Sequence, residues 1–226
     1  MQLPDYWLPS PAQEPDAATQ KAFDEILDNA VAQDGCPLLE YSLAAPKWQF
    51  LNYAAAQRDI ALHGSGNPAI ARFEPRQPLD LTEFGNQNAV YAAADGIWAM
   101  FYAILDRDTY ALTMANACIQ IVTGEASSQS LYHFSITRSA LAKKPWRNGT
   151  VYLLPRTTFV EQPAVPFESV QVKIPQLASP VAVSPLARLQ VTPSDFPFLE
   201  NVRGHDDARL HDYMIAMQTG APLPKD

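Results

Sequence analysis

The sequence predicts an α+β fold, because three observations separate helical from strand-like sequence along the chain. Up to about residue 58 a proline-rich lead is followed by two predicted helices, the first of which has its apolar residues at helical spacing. From residue 110 onward, short strand-like segments follow one another without a helical stripe between them. Between residues 149 and 204 there is no glycine, while eight prolines mark strand ends and corners. Segregated helices and strands favour an α+β fold over an alternating parallel sheet.

Residues 1–58 are expected to form an extended lead and then a helical cover. Four prolines in the first 16 residues favour extended chain. Asp16 can cap a first helix that ends near Asp34-Gly35. A second helix is predicted over Lys47–Gln57. The apolar stripe of the first helix consists of Phe23, Ile26, Leu27, Ala30 and Val31.

Residues 59–219 are expected to form the α+β domain, and residues 220–226 a loose tail. A buried strand over residues 59–63 breaks at Gly64-Ser65-Gly66, and a second strand covers residues 89–92. Asp95 can cap an almost wholly apolar, buried helix over residues 96–105. Further strands are predicted over residues 110–113, 119–122, 130–137, 150–159, 169–174 and 187–191.

Composition and charge narrow the class of protein. Apolar residues make up 47% of the 226 residues and charged residues 18%, which is enough apolar sequence for a substantial core. Sixteen basic against 24 acidic residues give a net charge of −8. An acidic chain without a basic run is a poor candidate for binding nucleic acid through its phosphates.

The sequence also predicts the cellular location of the protein. Its longest unbroken apolar run, residues 97–105, is far shorter than the roughly 20 residues of a membrane span. The start of the chain lacks the basic and apolar regions of a signal peptide. Cys36 and Cys118 match no metal-binding spacing, so buried thiols are expected, with a disulfide as the alternative. Together these features predict a cytoplasmic protein that does not enter a membrane.

The first candidate site is His63-Gly64-Ser65, which stands where a predicted strand ends. A glycine there allows a ligand to approach the backbone, whose N–H and C=O can pair with a flat amide. His63 and Ser65 add hydrogen-bonding side chains on either side. The alternative is an ordinary turn.

Two tyrosines form the second candidate feature. Tyr91 lies at the end of a predicted strand, and Tyr102 follows eleven residues later on the buried helix. The helix can turn Tyr102 back toward Tyr91, so that two rings wall a slot for a planar cation or heteroaromatic ring. The alternative is that both are core tyrosines.

Taken together, these residues resemble the poly(ADP-ribose) polymerase-like branch of the ADP-ribosyltransferase fold. That branch has a His-Gly-Ser/Thr at a strand end, a tyrosine in a Val/Ile-Tyr-x-Ala context, and a second tyrosine eleven residues on. The sequence around these motifs also resembles a bacterial family of uncharacterised function. The shared segments are residues 62–68, 73–76 and 85–91, and the resemblance covers about residues 58–205.

The resemblance implies a split antiparallel β core that binds NAD in its cleft. His63 would hold the adenosine-side ribose, and Gly64 would pair with the nicotinamide carboxamide, assisted by Ser65. Tyr91 and Tyr102 would flank the nicotinamide. The reaction would cleave the nicotinamide N-glycosidic bond through an oxocarbenium-like transition state, which a nearby carboxylate stabilises. The acceptor would be a protein side chain or a small molecule.

The third position of the family triad is a glutamate on a late strand, and three residues are candidates for it. Glu161 and Glu168 are carboxylates near predicted strands, while the segment that begins at Gln176 resembles the relatives' stretch where that glutamate would stand. An amide can accept a ribose hydrogen bond but offers no charge to the developing cation. Losing such electrostatic stabilisation typically costs on the order of 10²–10³ in rate. A non-catalytic NAD-binding or nucleotide-binding module is therefore the second hypothesis.

Arg72 and Arg76 follow the His-Gly-Ser turn, and one of them can meet the pyrophosphate through its bidentate guanidinium. The alternative is a surface ion pair with Glu74 or Asp80.

A third hypothesis is a metal-dependent hydrolase at His205, Asp206 and His211, since histidine and carboxylate at this density can bind a metal. The two histidines are six residues apart and would not share a helix face, so a solvated helix start is favoured and no metal is predicted. His133 alternates with apolar residues on a strand and is expected to be a satisfied core or cleft histidine.

Overall fold

The helices and strands are arranged in a mixed α+β architecture, 28% helix and 30% strand, built around largely antiparallel sheets. The structure is a computed structural model that describes residues 4–11, 13–78 and 82–224. The helices are α1 (Ala17–Val31), α2 (Lys47–Gln57), α3 (Gly96–Ile104), α4 (Arg138–Leu141) and α5 (Leu210–Thr219). The strands are β1 (Leu8–Pro9), β2 (Ile60–Ser65), β3 (Val90–Ala93), β4 (Met114–Thr123), β5 (Ala126–Ser127), β6 (Leu131–Thr137), β7 (Gly149–Pro155), β8 (Val160–Glu161), β9 (Val165–Phe167), β10 (Val170–Lys173), β11 (Gln176–Ser179), β12 (Ala187–Val191) and β13 (Arg203–His205).

The strands form two sheets. One has the order β12-β7-β2-β3-β11-β8, with each neighbouring pair antiparallel. The other has the order β1-β6-β4-β10-β9, with β5 beside β4 and β13 parallel to β6. The expected α+β class is confirmed.

Local sequence explains the helices α1, α2 and α3. Asp16 accepts a hydrogen bond from the Thr19 N–H at 2.8 Å and caps α1, whose Phe23 and Leu27 are buried. Asp95 caps α3 in the same way, through the N–H of Trp98 at 2.8 Å. The helix α2 has the predicted bounds. All three helices contribute to one apolar cluster with the inner faces of both sheets.

Several strand boundaries differ from the predicted ones. Residues 110–113 were expected to be a strand, but they belong to a turn and a connection, and β4 begins at Met114. The predicted strand over residues 150–159 ends at Pro155, where a 3-10 turn begins. The strand β2 continues through Gly64 to Ser65 rather than breaking there.

The part of the chain that the structure describes contains no helix of the length and apolarity that a membrane crossing requires. Both cysteines are free thiols, and Cys118 is buried while Cys36 is half-buried. Residues 225 and 226 of the predicted tail and Asp80 lie outside the described residues.

Candidate functional site

The central sheet opens between β2 and β3. On one edge β2 pairs with β7 at six positions, from Ile60 to Ser65, but on the other edge its register with β3 consists of the single pair Leu62–Ala93. Gly64 and Tyr91 would be the next pair to exchange backbone hydrogen bonds in a continuous ladder, and they are not paired. A split therefore begins directly after Leu62.

The ladder alternation shows which backbone groups face this split. Arg156 donates to the Asp59 carbonyl at 3.2 Å on the β7 side, so the N–H and C=O of Gly64 point toward β3. Ala94 donates to the Pro175 carbonyl at 2.8 Å on the β11 side, so the same groups of Tyr91 point toward β2. The split is thus bordered by peptide groups on both sides.

His63 holds the two strands together at the split. Its Nδ1 lies 2.7 Å from the carbonyl oxygen of Tyr91, and its ring centroid lies 4.6 Å from that of Phe73. Because a carbonyl only accepts, Nδ1 carries the proton, and Nε2 of the neutral ring is left as an acceptor. Burial lowers the pKa of His63, and the positive charges of Arg107 and Arg76 lower it further against the opposing effect of the Tyr91 carbonyl. His63 is therefore neutral at pH 7.

Gly64 is required for packing. A Cβ at this position would overlap the carbonyl oxygen of Ala99 and lie 2.8 Å from the amide nitrogen of Ala103, both on α3. A Cβ at Gly149 on the neighbouring strand would overlap the Ala103 carbonyl in the same way. The expectation that Gly64 is small to admit a ligand is therefore incomplete, because the helix already occupies the space beside its Cα.

The two candidate tyrosines are held by different partners. The Tyr91 hydroxyl accepts from the Gln87 N–H at 2.8 Å and lies 2.9 Å from the Phe84 carbonyl, which ties the ring to the loop before β3. Tyr102 is the residue of α3 that is not fully buried. Its hydroxyl lies 3.1 Å from Oδ1 of Asn116.

Two groups beside Tyr102 are absent from the predicted site. Asn116 lies on β4 of the other sheet, and the guanidinium carbon of Arg107 lies 5.9 Å from the centre of the Tyr102 ring. Nothing in the local sequence links Asn116 to α3, since the contact depends on how the two sheets pack. The Asp106-Arg107-Asp108 charge triplet after α3 is the available sequence signal for Arg107.

Gln176 lies on the same face of the sheet as Tyr91. It is directly opposite Ala93, and Ala178 is directly opposite Tyr91. Opposite residues of a ladder share a face, as do residues two apart on a strand. Gln176 is half-buried, and its side-chain amide has no hydrogen-bond partner within residues 4–11, 13–78 and 82–224.

The two candidate glutamates lie elsewhere. Glu161 pairs with Leu177, which places it on the opposite face of the sheet from Gln176, and it forms ion pairs with Arg156 and, at 3.2 Å, with Lys173. Glu168 lies in the exposed turn between β9 and β10 of the other sheet, with a φ of 50°. Of the three candidates, Gln176 is the one beside β3.

The remaining predicted residues around the turn are exposed or locally bonded. Ser65 Oγ accepts from the Asn67 N–H at 3.1 Å. Arg72 pairs with Glu74 at 2.9 Å, as the alternative interpretation expected. Arg76 is exposed, and its backbone exchanges hydrogen bonds with Ala89 at 3.1 and 3.2 Å.

A cavity of about 230 Å³ adjoins the loop that holds Tyr91. Val160 and Ala178, which share the Tyr91 face, contribute to its wall. Its lining is mainly apolar and consists of Phe84, Gln87, Asn88, Ala89, Val160, Pro163, Ala178 and Pro180.

The C-terminal histidine cluster is dispersed. His205 is fully buried in β13, where Nδ1 lies 2.7 Å from Ser135 Oγ and Nε2 lies 2.8 Å from Thr113 Oγ1. Asp206 caps a 3-10 turn, and His211 is exposed on α5. The favoured solvated helix start is therefore wrong for His205, and the described residues contain no group of three or more metal-ligating side chains.

His133 differs from the satisfied histidine that was expected. It is 1% exposed, and neither ring nitrogen forms a hydrogen bond of good geometry with the residues described, although the backbone of Tyr6 lies close to the ring. The rings of Tyr6 and Trp7 meet it edge-on at centroid distances of 5.4 and 6.4 Å. Burial lowers the pKa of His133 to about 4.

Comparison of the chain with models of protein families, with curated proteins and with solved structures finds no match. What the split between β2 and β3 can bind therefore follows from the groups that border it.

Proposed function

We propose that the chain binds NAD in the split between β2 and β3, as an ADP-ribosyltransferase-like protein. The observation that supports this most is the unpaired edge of Gly64 opposite Tyr91. A nicotinamide carboxamide carries N–H donors and a carbonyl acceptor. Those groups are complementary to the C=O and N–H of Gly64, which a continuous sheet would have used internally.

The other groups fit the sugar and the ring. His63 Nε2 can accept a hydrogen bond from a ribose hydroxyl, since Nδ1 is used on Tyr91. Tyr102, the partly exposed position of α3, offers an aromatic surface to the cationic nicotinamide ring.

In the proposed reaction the bond between ribose C1′ and the nicotinamide nitrogen breaks, and nicotinamide leaves with the bonding electron pair. An acceptor oxygen or nitrogen then bonds to C1′ and loses a proton. Water as acceptor makes the reaction a glycohydrolysis.

The residue that faces Ala93 on β11 favours a second candidate, a non-catalytic NAD-binding module. Gln176 shares the face of Tyr91 and carries no charge, whereas Glu161 is neutralised by two cations on the opposite face. Without a carboxylate there, cleavage is expected to be slower by on the order of 10²–10³. The cavity beside Ala178 would then hold an acceptor or remain a binding surface.

Calorimetric titration with NAD tests the proposal, using the wild type, the double variant His63→Ala/Tyr102→Ala and the control His211→Ala. We expect binding by the wild type and the control and its loss in the double variant. Nicotinamide release from the same samples separates an enzyme from a binding module. No wild-type binding at millimolar NAD would contradict the proposal.

A further inference from the structure

The side-chain amide of Asn116 has a defined orientation. Its Oδ1 lies 2.6 Å from Trp98 Nε1 and 3.1 Å from the Tyr102 hydroxyl, one helical turn further along α3. An indole N–H can only donate, so the atom facing it must be the amide oxygen. The Nδ2 group forms the other arm of the amide, and its two donors have no hydrogen-bond partner in the described part of the chain.

Arg107 supplies a second set of donors at the same ring. Its guanidinium carbon lies 5.9 Å from the Tyr102 ring centre, and the side chain is exposed. The flanking carboxylates are already used, since Asp106 and Asp108 both pair with Arg147. No carboxylate of the described residues lies within ion-pair distance of Arg107.

The surroundings of Tyr102 thus offer donors and positive charge without a matching acceptor. In a chain with a net charge of −8, such an arrangement is not explained by the overall composition. Charge-assisted hydrogen bonds from arginine favour oxygen anions with several acceptor sites. We propose that Asn116 Nδ2 and the Arg107 guanidinium form an anion subsite beside Tyr102 that takes a phosphate group.

Arg76 lies on the β3 side of the split, where its backbone pairs with that of Ala89 and its side chain is exposed. The phosphate belongs either to a nucleotide or to free phosphate or pyrophosphate. The subsite extends the proposed function, because NAD carries a diphosphate, but it does not depend on bond cleavage.

Calorimetric titration of the full chain with inorganic pyrophosphate, with ADP and with adenosine tests the subsite. The variants are Arg107→Gln and Asn116→Asp, and the control is Lys21→Gln, which removes an exposed charge on α1. Asn116→Asp keeps an acceptor oxygen for Trp98 and Tyr102 and replaces the two donors with a negative charge, so it opposes anion binding without removing the structural contact. Thermal unfolding of each variant verifies folding.

We expect pyrophosphate and ADP to bind the wild type and the control, and to bind both variants about 10-fold or more weakly. Binding should weaken with rising NaCl. Tighter binding of ADP than of pyrophosphate identifies a nucleotide as the source. Equal binding by wild type and both variants, or no wild-type binding at millimolar ligand, would overturn the subsite.

The two proposals fail separately. Unchanged NAD affinity in both variants would refute the subsite and leave the proposed function intact. Pyrophosphate binding that depends on Arg107, in a protein that does not bind NAD, would support the subsite and refute the proposed function.

Discussion

The Nδ1 atom of His63 lies 2.7 Å from the carbonyl oxygen of Tyr91, where a continuous ladder would place the amide of Gly64. An imidazole thereby takes the place of one backbone donor and links the two strands. The Gly64 peptide groups are left facing the split without a ladder partner. A site of this kind has hydrogen-bonding groups in fixed positions before any ligand arrives.

The first prediction separates the two nitrogens of His63. In His63→Asn, the amide N–H₂ can still donate to the Tyr91 carbonyl, while the Nε2 acceptor is lost; His63→Ala loses both. Thermal unfolding should show a loss of about 1 kcal/mol in His63→Ala that is partly recovered in His63→Asn. NAD affinity, measured by calorimetry, should fall about 10-fold in both variants. Full recovery of NAD affinity in His63→Asn would exclude a role for Nε2.

The second prediction concerns charge at position 176. Gln176→Glu places a carboxylate on the face shared with Tyr91, where an oxocarbenium-like transition state would be stabilised. We expect nicotinamide release to rise by on the order of 10²-fold over the wild type. Gln171→Glu, at an exposed position of β10 in the other sheet, adds the same charge and should leave the rate unchanged. An equal rise in both variants would show that net charge, rather than position, is responsible.

The third prediction tests the contact between β2 and α3. Gly64→Ala would force its new Cβ into the Ala99 carbonyl, so the strand or the helix must shift. Overpacking of this kind costs about 1–3 kcal/mol. Denaturant unfolding should detect this loss, while Ser65→Ala at the neighbouring half-buried position should change stability far less. Wild-type stability in Gly64→Ala would mean that the helix is free to move away from the sheet.

The fourth prediction concerns acid stability. Because the pKa of His133 falls from its usual 6.5 to about 4 on folding, the unfolded chain takes up the proton more readily. The stabilisation from a neutral His133 is therefore complete above pH 6.5 and is lost as the pH falls from 6.5 toward 4, by on the order of 3 kcal/mol. His133→Leu should flatten the fall in unfolding free energy across this range.

Thermal unfolding between pH 7 and pH 4 measures the effect. His63 and His205, whose pKa values are also lowered by burial, remain in both proteins, so the variant should keep part of the slope. Burial raises the pKa of Asp95, so its protonation changes the unfolding free energy with pH in the opposite direction to that of the histidines. Asp95 is also present in both the wild type and the variant. An unchanged slope in His133→Leu would show that the ring finds a partner for its proton without unfolding.

Capping was sufficient to predict where α1 and α3 begin. Asp16 and Asp95 are caps whose effect is confined to the next turn, so α1 and α3 begin where the sequence indicates. The two-residue to four-residue strands β1, β8 and β11 were not predicted, because each is too short to carry its own alternation. Their pairing partners, such as Tyr91 for Ala178, are distant in sequence.

The candidate site was likewise predictable only where its residues lie close together in the sequence. His63, Gly64, Tyr91 and Tyr102 could be selected because they lie on two neighbouring strands and the helix that follows. Asn116 reaches Tyr102 from the other sheet, and no local pattern encodes that approach. The placement of Glu161 on the opposite face follows from a ladder register of two pairs, and a shift of one residue would reverse it.

The glycines at positions 64 and 149 bring the backbones of β2 and β7 directly against the backbone of α3. Because a close-packed interior transmits displacement, we expect these three elements to move together. On the other side of the split, β3 is held to β2 by one ladder pair and one imidazole, and three residues after Ala93 the chain enters α3. On ligand entry we expect β3, which carries Tyr91, to move about the Leu62–Ala93 pair, while α3, which carries Tyr102, stays in place. Differences in ligand size would then be accommodated by β3 and its loop.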